Sequence, residues 1–155
     1  DESESRGLGD VYKRQNDMLS RGGGHILNVS SLAAATPIPN QNVYAASKAY
    51  VLAFSQALAN ELKAVNSGVS VTALCPGFTA TKMMDNPDQG PRLSIPSMLL
   101  QPAREVAQQG IDACLAGRSK WVPGLANRLT GWIAAVLPNA LLLPAVGGFY
   151  RKNMR

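Results

Sequence analysis

The stretch Val43-Tyr44-Ala45-Ala46-Ser47-Lys48, with Ser31 thirteen positions before its tyrosine, decides how the rest of the chain is read. Tyr44 and Lys48 are four apart, so on a helix they stand one turn apart on the same face. That geometry suits an acid–base pair. A free phenol, with a pKa of roughly 10, is a poor proton donor near neutrality. An ammonium within a few Å favours the phenolate and draws that value towards the working pH. Ser31 closes the apolar, strand-like run His25-Ile26-Leu27-Asn28-Val29-Ser30 and could hold a carbonyl or hydroxyl oxygen beside the phenol. A lysine stem snorkelling over a half-buried tyrosine would give the same spacing. The flanking sequence has to choose between the two.

Ile26 to Val29 reads as a buried parallel strand. From Val43 to Val65 the pattern predicts a long helix, with Val51, Phe54, Leu58, Leu62 and Val65 as one apolar stripe. Asn66-Ser67-Gly68 supplies residues that tolerate the left-handed turn ending a helix. Val69 to Leu74 is a second, β-branched strand. Strand, helix and strand in that order imply a right-handed crossover and a parallel sheet. Ligands bind such sheets beyond the carboxyl ends of the strands. Ser31 and the turn Cys75-Pro76-Gly77-Phe78-Thr79-Ala80-Thr81 both lie just past those ends, so they should meet at one crevice.

With these motifs in this order and spacing, the chain from roughly Met18 to Trp121 closely resembles the C-terminal half of the classical short-chain dehydrogenase/reductase family. The resemblance implies an α/β fold: a Rossmann-type doubly wound parallel sheet, here a C-terminal fragment lacking the N-terminal dinucleotide-binding strands. It implies an oxidoreductase passing hydride between NADP or NAD, leaning to NADP, and a small apolar carbonyl or alcohol substrate. Tyr44 would exchange the proton, Lys48 would assist it and bond the nicotinamide ribose beside Tyr44, and Ser31 would position the substrate oxygen. Pro76 and Gly77 would pack near the nicotinamide, and Thr81 would bond its carboxamide, with Thr79 a second candidate. A homo-oligomeric full-length parent also follows from the family.

The chain departs from that family at its start. No GxGxxG or TGxxxGxG loop occurs anywhere in it, and Gly22-Gly23-Gly24 precedes a strand, so it reads as a turn. Residues 1–15 (DESESRGLGDVYKRQ) show no helical or strand periodicity where the family carries a helix with a catalytic asparagine. They read as a non-family leader: a linker, a fusion scar or a native disordered segment. Residues 16–123 are then the family-like part and 124–155 an apolar, basic helical extension. The expectation is a reductase fragment that cannot catalyse by itself. The competing reading is a catalytically silent module that binds a membrane or a partner.

Composition agrees with one globular domain: 155 residues, 46% hydrophobic and 16% charged. Cys75 and Cys114 form no metal-like cluster with His25 and read as buried thiols of a reducing, cytoplasmic compartment. No metal site is expected. The first fifteen residues hold no apolar signal segment. Lys82 to Leu100 stands where the family has a mobile substrate lid, and its methionines suit a greasy pocket. A helix is expected from Gln101-Pro102 to about Ala116, then a short strand at Lys120-Trp121-Val122-Pro123.

The net charge of +5 is concentrated late, because no acidic residue follows Asp112. Nucleic acid is not the expected partner, since no aromatic stacking positions interleave with the basic ones. Leu129 to Tyr150 is uncharged and bracketed by Arg128 and Arg151-Lys152. Its length reaches the ~20 residues that cross a bilayer. Pro138, Pro144 and Gly147-Gly148 instead predict two short apolar helices broken at Pro138. These could lie peripherally on an anionic membrane surface, pack on a partner subunit or cover the sheet edge.

Overall fold

The structure is a computed structural model and describes residues 15–81 and 95–153. Residues 1–14 of the leader expected at 1–15, and most of the expected lid, 82–94, lie outside the described residues.

Residues 15–20 are helical and lead into the glycine turn. Strand β1 (Gly24–Val29) and strand β2 (Val69–Leu74) pair in parallel, Ile26 beside Val71 and Val29 beside Leu74. Between them runs helix α1 (Asn42–Ala64). The turns at the start of the two strands touch. Gly68 has φ of 72°, and a Cβ there would stand 2.5 Å from the Gly22 carbonyl oxygen. Only glycine fits at Gly68, and a Cβ on Gly23 would stand 3.0 Å from the Gly68 carbonyl oxygen, so the glycines at this contact have a packing reason rather than a phosphate-binding one.

β2 is buried on both faces, and its alternation assigns each face a helix. Val69 and Val71 pack with Ile26, Leu58 and Leu62, so α1 covers one side. Leu74 presses on Gly110 of helix α2 (Ala103–Leu115), which covers the other. Helices on both faces of a parallel sheet are the doubly wound arrangement. The stripe on α1 is shorter than its periodicity suggests. Leu58 and Leu62 are buried, Val51 and Phe54 are half-buried, and Val65 is 70% exposed. The helix stops at Ala64, so Val65 sits in the turn and no longer faces the strands.

Past β2 the chain forms a two-residue strand β3 (Thr79–Ala80), paired with β4 (Gln101–Pro102). The expected helix therefore starts later than its proline suggests. The Gln101 N–H donates to Phe78 O at 2.9 Å, and Pro102 stands extended at ψ 130° as the cap of α2. Strand β5 (Lys120–Trp121) then joins the sheet beside β2, giving the order β1-β2-β5.

Two helices follow, α3 (Leu125–Val136) and α4 (Asn139–Asn153), with the break at Pro138. Pro144 and the glycine pair do not interrupt α4, although Pro144 forfeits one backbone bond there. The two helices differ in what covers them. Leu142, Gly147 and Tyr150 of α4 are buried, whereas no residue of α3 is. Among the described residues, no helix is long and apolar enough to cross a membrane.

Candidate active site

The carboxyl ends of β1 and β2 are stitched together where the sequence places its crevice. Ser30 N–H donates to Leu74 O at 2.7 Å and Leu32 N–H to Pro76 O at 2.8 Å. The segment after β1 then winds into a 3-10 turn, Leu32–Ala35, capped by Ser31. Ala33 N–H donates to Ser31 Oγ at 3.1 Å. That bond holds the hydroxyl oxygen as an acceptor and leaves its proton for another group.

α1 is fastened to the same strand end at two points. Ser30 Oγ donates to Lys48 O at 2.7 Å, and Lys48 Nζ donates to Val29 O at 3.1 Å. The ammonium lies 5.8 Å from the centroid of the Tyr44 ring, one turn back along α1. The head of this lysine is tied to a backbone carbonyl beside the tyrosine. Ser31, Tyr44 and Lys48 are all half-buried at this edge. Among the described residues, Ser31 and Tyr44 share no hydrogen bond.

The turn after β2 carries the remaining candidates. Thr79 Oγ1 donates to Gly77 O at 3.2 Å, which leaves its oxygen free to accept, and Thr81 is exposed. Gly77 has a packing role: a Cβ there would meet the Asn127 amide at 2.5–2.7 Å. Asn127 Nδ2 in turn donates to Gln101 Oε1 at 2.8 Å and Pro123 O at 2.9 Å, so α3 buttresses the turn. The donor set fits the nicotinamide end of a dinucleotide. One Lys48 N–H is used, two others remain, and hydroxyls stand on the opposite turn. No glycine-rich loop in the chain fits the pyrophosphate.

Sequence reasoning missed the wall that α4 builds. Tyr150 is 7% exposed and packs with Ile38 and Ala45, the neighbour of Tyr44, with Val146 and Phe149 alongside. Phe149 also meets Phe78 of the β2 turn, ring centroids 6.3 Å apart. One helix thus touches both sides of the crevice. Burial pushes the Tyr150 phenol above its ordinary value, and the neighbouring Tyr44 adds to the rise. Gly147-Gly148 ahead of an aromatic pair was the available signal. Small residues permit a close approach, and a Cβ on Gly147 would sit 3.4 Å from Pro39. Cys75 and Cys114 are buried and free, and burial raises the Cys75 thiol despite the partial offset from Lys120 and Ser30.

A family model described as short chain dehydrogenase matches residues 11–91, more than half of the chain. The chain belongs to that family. Its members are oxidoreductases that pair NAD(P) with carbonyl or alcohol substrates. The match begins inside the stretch read from sequence as a leader.

Among curated relatives, the chain is 42% identical over 64 residues to human 15-hydroxyprostaglandin dehydrogenase [NAD(+)], covering 41% of this chain and 24% of that protein. It is 31% identical over 138 residues to the very-long-chain 3-oxoacyl-CoA reductase of Rattus norvegicus, covering 89% of this chain and 41% of that one. A solved short chain dehydrogenase from Burkholderia cenocepacia J2315, in complex with NADP, shares the fold at a TM-score of 0.70. It is 23% identical, and the alignment covers 90% of this chain and 53% of that one. The chain spans between about a quarter and two fifths of the length of the curated relatives it matches.

Proposed function

We propose that this chain carries the acid–base centre of an NAD(P)-dependent oxidoreductase that interconverts a ketone and a secondary alcohol. The observation that carries this reading is the Lys48 ammonium, anchored on Val29 O and lying beside the Tyr44 ring at the end of β1. During reduction, the Tyr44 O–H bond breaks and its proton passes to the carbonyl oxygen. In the reverse direction the phenolate takes the proton of the alcohol. The Lys48 ammonium stands beside the ring that gives and takes this proton. Ser31, its oxygen already committed to the Ala33 amide, donates its own proton to the substrate oxygen and holds it beside the phenol. A bound nicotinamide would supply or accept the hydride, while the protein orients and charges the site. Lys48 and Tyr44 would face its ribose, Thr79 and Thr81 its carboxamide, and Pro76 and Gly77 would shape the turn beneath it.

Val146, Phe149 and Phe78 give the crevice an apolar wall, which suits an apolar substrate. Similarity to a 3-oxoacyl-CoA reductase over 89% of the chain supports an acyl ketone. In this reading the 155 residues work together with a dinucleotide phosphate site that they do not themselves carry. The chain alone should therefore show no low-micromolar affinity for NADH or NADPH in calorimetric titration. Low-micromolar binding of either would overturn that division of labour.

A peripheral membrane role, in a cytoplasmic protein, is supported by one observation on α3. Leu125, Leu129, Trp132 and Val136 are 59–79% exposed along one face, in a region with exposed Arg128, Arg151 and Lys152. Each basic side chain near an anionic surface contributes about 1 kcal/mol. Sedimentation should show binding to anionic but not neutral liposomes, weakened by salt. Equal binding to both, or none, would remove this role. The catalytic reading would stand either way.

A further inference from the structure

A cavity of about 270 Å³ lies between α3 and the ends of the strands. Leu32, Leu52, Val122 and Trp132 make it largely apolar, and Lys120 and Arg128 are the charged residues among its lining. Ser31 and Cys75 also reach it, but Tyr44 and Lys48 do not.

Two contacts hold the guanidinium of Arg128 in place. Its Nε donates to Val122 O at 3.0 Å, and its carbon lies 4.0 Å from the centroid of the Trp121 ring. That leaves the terminal nitrogens for another partner. Among the described residues, neither Arg128 nor Lys120 has an ion pair, and no acidic residue lines the cavity. No acidic residue exists after Asp112 to neutralise them from within this part of the chain.

We infer that this cavity is a binding site for a small amphipathic carboxylate, with its chain against Leu32, Leu52 and Trp132 and its carboxylate on Arg128 and Lys120. An apolar chamber with a few convergent polar groups is the general form of a small-molecule site. A guanidinium held flat presents the paired donors that match a carboxylate. The volume is too small for a dinucleotide and lies near the lower end of ligand pockets, which favours a short chain. The cavity shares Ser31 with the proposed catalytic site, but binding here needs neither Tyr44 nor a dinucleotide, so it goes beyond the oxidoreductase reading and is tested apart from it.

The chain's two tryptophans both stand at this site, Trp132 in the wall and Trp121 under Arg128, so intrinsic fluorescence reports on it. Octanoate and octanol, added separately to the full 155-residue chain, separate charge from chain. Octanoate is expected to give a saturable change and to bind about tenfold more tightly than octanol, from the charge-assisted bonds. Arg128→Gln should bring octanoate close to octanol, and Lys120→Gln should weaken octanoate several-fold. Lys120 is exposed, so its variant should fold even where Arg128→Gln does not, and it then decides the matter alone. The inference is overturned if octanol binds as well as octanoate, or if neither saturates below about 1 mM. Wild-type octanoate affinity in the folded charge variants overturns it too.

Discussion

Tyr44→Phe should lower kcat by at least about 10²–10⁴-fold, the range of general acid–base contributions, in the enzyme that joins this chain to a dinucleotide phosphate site. The substitution deletes one oxygen and keeps the ring. Tyr44 is half-buried, and among the described residues its hydroxyl makes no hydrogen bond to Ser31, so little stability should be lost. KM should change far less than kcat, because the missing proton is needed only as the carbonyl oxygen gains charge. A variant keeping a tenth of the parent's kcat, with chemistry rate-limiting, would remove Tyr44 from its role.

Leu58→Ala carries the largest expected loss of stability. Leu58 is 2% exposed and packs among Ile26, Leu62, Val69 and Val71, the contact that holds α1 on the sheet. Truncating such a side chain costs about 2–5 kcal/mol, because the cavity only partly collapses. For a chain of this size that lowers Tm by on the order of 10 °C. Val65→Ala is the matched control. It belongs to the same sequence stripe but is 70% exposed, and should stay within about 0.5 kcal/mol. Urea denaturation of the two variants checks both values. Equal midpoints would contradict the packing of α1 described here.

The crossover and the helix face that carries Tyr44 and Lys48 were legible because each is written in local pattern. The β-branched run gave β2 its bounds, the Asn66–Gly68 turn ended α1, and a four-residue spacing put Tyr44 and Lys48 on one face. What stayed hidden depends on contacts between distant segments. Nothing near Gly77 announces Asn127, fifty residues on, and nothing near Tyr44 announces Tyr150. The backbone anchors of Lys48 were equally silent, since they use carbonyl and hydroxyl groups whose partners only folding chooses. Gln101-Pro102 misled for a related reason. A proline before a helix marks its start, but pairing with Thr79–Ala80 drew both residues into a strand.

If Tyr44 and Lys48 serve a direct hydride transfer between a nicotinamide and a carbonyl carbon, the transferred hydrogen can be traced. The decisive measurement is reduction of a ketone by the complete enzyme with the dinucleotide deuterated at its hydride-donating position. Mass spectrometry of the product should find one deuterium on the carbinol carbon, none exchanged with water, and the same label at a much lower rate in Tyr44→Phe. An alcohol carrying solvent hydrogen at that carbon, or an unchanged rate in the variant, would contradict the account.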